Sequence, residues 1–317
     1  MTEALLFETD GRGVARMTLN RPERRNALDG DLVGALCARL AAIDGDPEIR
    51  VLVLTGSGEA FCSGADIDWM RARLVDTPEA NRAHAGTLAQ LMHRLNGLSK
   101  PTITRVQGPA YGGGIGLITC CDIAIASETS VFALSEARLG LAPAVIAPYV
   151  IAAVGQRHAR RLFLSAVRID AHEALRLGLV HRVVPTEKLD EAVEAEVGCL
   201  LSGGPEALAH CKRISLKGLP NEPERMASAE LLAGLWASPP SSKNASPGGE
   251  MNRGEINSYP RHPTCIPAHR CTPEPPYERL RYHDAMQDGR LVWRTQRFTH
   301  RQGCSWVSYL DPARTGL

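Results

Sequence analysis

The sequence predicts an α/β protein whose core is a spiral of repeated β-β-α units rather than a doubly wound sheet. Two observations carry this. Short β-branched or leucine-rich runs alternate with helical stretches from residue 4 to about residue 216. Two glycine turns, Gly56-Ser57-Gly58 running on to Gly64 and Gly112-Gly113-Gly114, each follow such a run. Neither carries a nucleotide fingerprint. A G-x-G-x-x-G would need glycine where Leu117 and Thr119 stand, and no G-x-x-x-x-G-K-[ST] occurs.

In chain order, residues 4–9 and 13–19 read as a hairpin around Asp10-Gly11. Asp29–Ile43 places Leu32, Leu36, Leu40 and Ile43 on one helical face behind an acidic N-terminal residue. Arg50–Thr55 is a buried-strand run, and Trp69–Asn96 is a loop plus an amphipathic helix with Leu88, Leu91, Met92 and Leu95 on one side. Thr102–Val106 is a strand and Ile115–Cys121 the helix after the triple glycine. Asp122–Ala126 and Val131–Leu134 are strands, placing Glu136 just past a strand end. Leu139–Val154 is expected to form an inner-wall helix or loop-helix, followed by helices at Arg157–Leu164 and Ala171–Leu177 and a strand at Val180–Val184. Lys188–Leu201, Pro205–Leu216 and Glu222–Leu235 are three further helices.

The chemistry points to the glycine turns. Residues without a Cβ let a ligand approach the backbone, and the first N–H groups of a helix lack partners within it. A strand, a triple glycine and a helix start can therefore hold a negative oxygen. The plain alternative is a turn that only packs helix on strand.

Four motifs in succession, Phe61-Cys-Ser-Gly-Ala-Asp-Ile67, Tyr111-Gly-Gly-Gly-x-Gly-Leu117, Cys121-Asp-Ile-Ala-Ile-Ala126 and Phe132-x-Leu-Ser-Glu136, resemble the enoyl-CoA hydratase/isomerase (crotonase) superfamily over roughly residues 4–235. The resemblance implies a crotonase-like spiral core over residues 1–195 and a helical, trimer-forming region over 196–237. It also implies that the N–H groups of Ala65 and Gly113 hold the thioester enolate oxygen. The stretch Arg21-Pro-x-x-x-Asn-Ala-Leu28 resembles the segment that lies along coenzyme A, making Arg24 or Arg25 a phosphate partner, with Ala27 beside them; a solvated arginine pair is the alternative. Ser63, Asp66, Ile67, Gly112 and Gly116 fall at substrate-binding positions of the same motifs.

Standard hydratases of this superfamily carry two glutamates, at positions that here hold Gly116 and Glu136. The first is missing. The turn Gly112–Gly116 with the run Leu134–Val150 resembles the branch containing 3-methylglutaconyl-CoA and γ-carboxygeranoyl-CoA hydratases of leucine and acyclic-terpene breakdown. In that reading Glu136 binds water and exchanges its proton with the substrate. A carboxylated acyl group would need a cation, for which Arg73, Arg82 and Arg138 are candidates; His84 and His93 are the next bases after Glu136. A Δ3,Δ2-enoyl-CoA isomerase using one carboxylate is the second reading, and a non-catalytic acyl-CoA-binding subunit the third. The resemblance implies trimers, often paired into hexamers, with the coenzyme A thioester as substrate and no separate cofactor.

Composition sets outer limits. With 36 basic and 35 acidic residues among 317, the chain has no bulk charge to attract nucleic acid or anionic membrane. Nine cysteines include no C-x-x-C pair and no cysteine-histidine spacing suited to zinc, so reduced core cysteines are expected and no metal. No signal peptide and no spanning segment is visible, which places the protein in the cytoplasm as an expectation. From about Ser238 the composition shifts: ten of 21 prolines and four of six tyrosines lie between Pro239 and Leu317. No strand or helical period is read there, and a disordered tail, produced by out-of-frame translation after a base change near codon 236, is expected; a genuine accessory tail is the alternative.

Overall fold

The computed structural model describes residues 3–217, 281–287, 290–297 and 305–309. The chain divides into two units, Met1–Gly248 and Gly249–Leu317. In the first, the elements run β1 (Leu5–Thr9), β2 (Val14–Leu19), α1 (Gly30–Gly45), β3 (Val51–Gly56), α2 (Ile67–Ala72), α3 (Pro78–Gly97), β4 (Thr102–Val106), β5 (Ala110–Tyr111) and α4 (Gly113–Cys120). They continue with β6 (Ile123–Ser127), β7 (Val131–Ala133), α5 (Ala147–Ser165), β8 (Ile169–Asp170), α6 (Ala171–Leu177), β9 (Arg182–Val184), α7 (Leu189–Leu201) and α8 (Pro205–Lys217).

Two sheets share the repeats. The larger has the order β1-β2-β3-β4-β6-β9, antiparallel at β1/β2 and parallel thereafter. The smaller has the order β5-β7-β8, and an isolated bridge from Cys62 to Ala110 extends it toward the first glycine turn. Thus β3 with Cys62, β4 with β5, and β6 with β7 are successive turns of one spiral, each sending its first strand to one sheet and its second segment to the other. This is the α/β crotonase fold.

Strand β3 shows why its sequence is apolar without polar alternation. Leu52 and Leu54 point into a core built with Leu32, Leu36 and Leu40 of α1 and Leu91, Met92 and Leu95 of α3. Val51 and Val53 point the other way, onto Leu189, Val193 and Val197 of α7. A strand covered on both faces needs apolar residues at every position. Helix α1 begins where Asp29 accepts the Leu32 N–H, and α6 ends at Gly178 in a left-handed conformation (φ 80°).

Several expectations are corrected. The helical run expected from residue 139 starts only at Ala147, while the break expected between residues 154 and 157 falls at Gly155, whose φ 75° and ψ 155° are non-helical and divide α5 into two helices. The boundary at residues 195/196 falls inside α7, whose buried Leu189, Ala192, Val193 and Val197 continue the core. Strands β5 and β8, two residues each, are too short for any period to announce them. The helix expected at Glu222–Leu235 lies outside the described residues.

In the second unit, where no strand period was expected, the described residues form β10 (Arg281–Gln287), β11 (Arg290–Arg297) and β12 (Ser305–Tyr309), an antiparallel meander. Gln287 pairs with Arg290, leaving a two-residue connection whose sequence is Asp288-Gly289. That dipeptide is a strong hairpin signal that the proline and tyrosine content obscured.

Candidate active site

The two glycine turns meet. Leu28 donates its N–H to the Gly64 carbonyl and accepts from the Asp66 N–H, so the chain on both sides of Ala65 is clamped. Gly64 has φ +87°, and a Cβ there would stand 2.9 Å from the Tyr111 carbonyl oxygen and 3.5 Å from the Gly113 nitrogen. A Cβ on Gly114 would reach within 2.5 Å of the Cys62 carbonyl oxygen. These glycines are therefore required by the approach of one turn to the other. Gly113 opens α4, where no preceding helical turn can accept its N–H. Among the described residues neither the Ala65 N–H nor the Gly113 N–H has a hydrogen-bond partner. The structure thus brings together the two donors named from the sequence.

Glu136 stands beside them. It opens a 3-10 turn, Glu136–Leu139, just after β7. Gly112 has φ +46°, and a Cβ there would lie 2.8 Å from Glu136 Oε1. The missing side chain at 112 is the space the carboxylate occupies. Glu136 Oε2 is buried with no hydrogen-bond partner, and burial pushes its pKa above the usual glutamate value. A carboxylate with one free buried oxygen, next to two unpaired N–H groups, can take a proton from water or from a carbon acid while the N–H groups hold the oxygen that gains charge.

The remaining predicted residues divide. Arg25 is exposed, has no ion pair among the described residues, and lines a cavity of about 640 Å³ with Pro22, Glu59, Ser63 and Tyr111. Arg24 is already paired with Asp68 at 2.8 Å. Ala27 is buried, and its carbonyl accepts from Arg21. Ile67 is exposed at the start of α2. Asp66 is spoken for: it is buried, accepts the Asp68 and Trp69 N–H groups as the cap of α2, and pairs with Arg21 at 3.0 Å. Its carboxylate positions the first turn, and the same contacts hold its pKa below the usual aspartate value despite burial. Gly116 is buried one turn into α4, with its N–H donated to the Gly112 carbonyl.

Of the candidate cations, Arg73 faces Asp76 at 3.4 Å and lies over the Trp69 ring, whereas Arg82 and Arg138 are exposed with no ion pair among the described residues. His84 meets the edge of Trp69 and lies 3.7 Å from Asp76; His93 is exposed on α3. Cys62, Cys120 and Cys121 are buried free thiols, with Cys62 and Cys121 pushed up to about 12 by burial.

Sequence reasoning missed the residues that shape the first turn. Asn26, fully buried at φ +55°, donates from Nδ2 to the Ser57 and Ala60 carbonyls at 2.9 and 2.8 Å. Gln107 donates to the Gly56 and Ala60 carbonyls at 2.8 Å. Arg21 bridges Asp29 and Asp66. Arg21 and Asn26 were legible as fixed members of one motif, but Gln107 carried no signal.

The enoyl-CoA hydratase/isomerase family model matches residues 9–249, and the chain belongs to that family. Among its relatives, the crotonyl-CoA hydratase of Syntrophomonas wolfei is 34% identical over 231 residues, 72% of this chain and 87% of the relative. Pseudomonas aeruginosa AtuE superposes with a TM-score of 0.73 at 37% identity, over 76% of this chain and 94% of that one. An enoyl-CoA hydratase from Shewanella pealeana gives 0.71 at 40% identity, over 74% and 89%.

Proposed function

We propose that this enzyme adds water across the double bond of a 2-enoyl-CoA, with Glu136 as the only side chain moving protons. The observation that carries the reading is the Glu136 carboxylate packed against Gly112, with Oε2 buried and unpaired, beside the free N–H groups of Ala65 and Gly113. Glu136 takes a proton from water as its oxygen bonds to Cβ. Charge passes to the thioester oxygen, where the two N–H groups stabilise it. The proton then goes to Cα and the enolate collapses. Atoms balance without any further reactant.

The acyl group we propose is branched and carries a carboxylate, as in 3-methylglutaconyl-CoA. This rests on the sequence resemblance and on the absence of a second carboxylate at Gly116. Arg138, two residues from Glu136 and unpaired among the described residues, is the candidate partner for the distal carboxylate; the Asp76 contact of Arg73 makes it the weaker one. Arg25 is the candidate phosphate partner, and association into trimers is part of the same reading.

The competing reading is a Δ3,Δ2-enoyl-CoA isomerase, favoured by the single carboxylate. A panel of 2-enoyl-CoA and 3-enoyl-CoA thioesters, analysed for 3-hydroxyacyl-CoA product, separates them. Hydration of the 2-enoyl substrates is expected, with the carboxylated one turned over at higher kcat/KM than crotonyl-CoA. Conversion of 3-enoyl to 2-enoyl thioester without hydroxyacyl product would replace hydration with isomerisation.

A further inference from the structure

We propose that Ile146 is the residue that limits how far an acyl chain can extend past Glu136. The inference rests on the acyl-CoA reading above but concerns a residue to which that reading gives no role.

Gly116 follows Gly112 by one helical turn, and the Gly116 N–H bonds the Gly112 carbonyl at 3.2 Å. At Gly112 the space a side chain would take is filled by the Glu136 carboxylate; at Gly116 it is filled by hydrocarbon. A Cβ on Gly116 would overlap Ile146 Cγ2 and would stand 3.1 Å from Ile146 Cβ and 3.2 Å from Met92 Cε. Ile146 is 3% exposed and Met92 fully buried, with Met92 Sδ backed by Cys120 Sγ at 3.8 Å. The wall is therefore apolar and braced from behind. Ile146 and Glu136 also lie at the two ends of one connection, pinned where Leu141 donates to the Glu136 carbonyl and Ala147 to the Pro143 carbonyl. The same connection thus presents the acid/base group and, one turn deeper along α4, the wall.

Two consequences for substrate follow. A chain lying along α4 past the reacting carbons meets methyl groups, so this direction accepts a short apolar substituent. A distal carboxylate must leave by another direction, because burying it against Ile146 and Met92 would strand a charge among hydrocarbon.

The experiment compares kcat/KM for crotonyl-CoA and for 2-octenoyl-CoA in the full-length protein, Ile146→Ala and Ile146→Phe. One methylene in an apolar pocket is worth roughly 10- to 200-fold in discrimination. Ile146→Ala is expected to move the octenoyl/crotonyl ratio up by at least about tenfold, and Ile146→Phe to move it down. A loss of folded protein lowers both substrates together and leaves the ratio alone, and Ile146→Val, a milder change, should shift the ratio in the same direction as Ile146→Ala. As a second measurement, Gly116→Ala should cut activity sharply, and Ile146→Ala in the same chain should recover part of it. A parent enzyme that hydrates crotonyl-CoA while the ratio stays fixed in all three Ile146 variants overturns this inference and leaves the hydratase reading standing. A parent that hydrates neither substrate removes that reading, and this inference with it.

Discussion

Replacing Glu136 by glutamine tests three consequences of one contact. The amide has the shape of the carboxyl, so the fit against Gly112, 2.8 Å from Oε1 to the position of a Cβ there, is kept. Since Oε2 has no hydrogen-bond partner, an amide nitrogen placed at that position breaks no bond. What is lost is the ability to take and return a proton. General acid-base catalysis contributes roughly 100- to 10,000-fold, and a group that serves both proton steps belongs at the upper end. A fall of about 1,000- to 10,000-fold in kcat corresponds to about 4 to 5.5 kcal/mol on the barrier. KM should move much less, because the N–H donors remain.

The pH dependence follows from the raised pKa of Glu136. Proton abstraction needs the ionised form, so the parent kcat/KM should fall as pH drops through that raised value, while the residual activity of the variant should lack this limb. Stability runs the other way. The folded protein holds the Glu136 proton more tightly than the unfolded chain, so this group favours folding below the ordinary glutamate range of about 4.3, and that contribution is lost as pH rises through the raised value. Glu136→Gln should therefore melt at a higher temperature than the parent at pH 8, with the gap closing toward pH 4. Steady-state hydration and thermal unfolding at matched pH give both readouts. A variant that keeps more than about a tenth of the parental hydration would refute the assignment and move attention to His84, which lies beside Trp69.

Gly113→Pro removes one of the two N–H donors at a first helical position, where proline is tolerated, and the Cβ contact is with the flexible end of Leu28 at 3.1 Å. Turnover should fall about 100- to 1,000-fold with circular dichroism unchanged. Gly112→Ala forces a Cβ into the Glu136 carboxylate and strains the backbone at φ +46°, so both kcat and melting temperature should drop; Glu136→Ala in the same chain removes the clash but not the strain, and should recover part of the melting temperature and none of kcat. Arg21→Met leaves Asp66 buried without its ion-pair partner, which should cost about 3 kcal/mol in urea unfolding. Arg25→Ala should raise KM for the CoA thioester more than Arg24→Ala, since Arg24 is engaged by Asp68; equal effects would remove Arg25 as the phosphate contact.

The site was largely legible because its parts are contiguous motifs. Ala65 and Gly113 offer backbone N–H groups rather than side chains, so the glycines around them are the signal, and the positive φ values at Gly64 and Gly112 are the reason those glycines stand there. Glu136 was visible as a carboxylate just past a strand. The cap and ion pair of Asp66 were not legible, because a buried aspartate that caps a helix and one that meets a ligand look alike in a motif, and its partner Arg21 lies 45 positions away in sequence. Gln107 and Ile146 act across the fold from ordinary positions, and no local pattern marks them. The break at Gly155 was legible as a glycine between two helical runs, and Val150 and Val154 before it pack on the same core as Ala159 and Leu162 after it. The strands of the second unit were missed because a proline-rich composition was weighed above one Asp-Gly dipeptide. No helix among the described residues is long and apolar enough to cross a membrane.

The central claim is that one carboxylate, seated against Gly112 beside two free N–H groups, carries out hydration. The most direct test is to incubate the full-length protein and Glu136→Gln with crotonyl-CoA in deuterated water and analyse the thioester products by mass spectrometry and NMR. The account predicts 3-hydroxybutyryl-CoA from the parent, carrying one deuterium at Cα, with product formation and Cα exchange lost together in the variant. Hydration that survives in Glu136→Gln, or a parent that yields no hydroxyacyl product while converting 3-enoyl to 2-enoyl thioester, would contradict it.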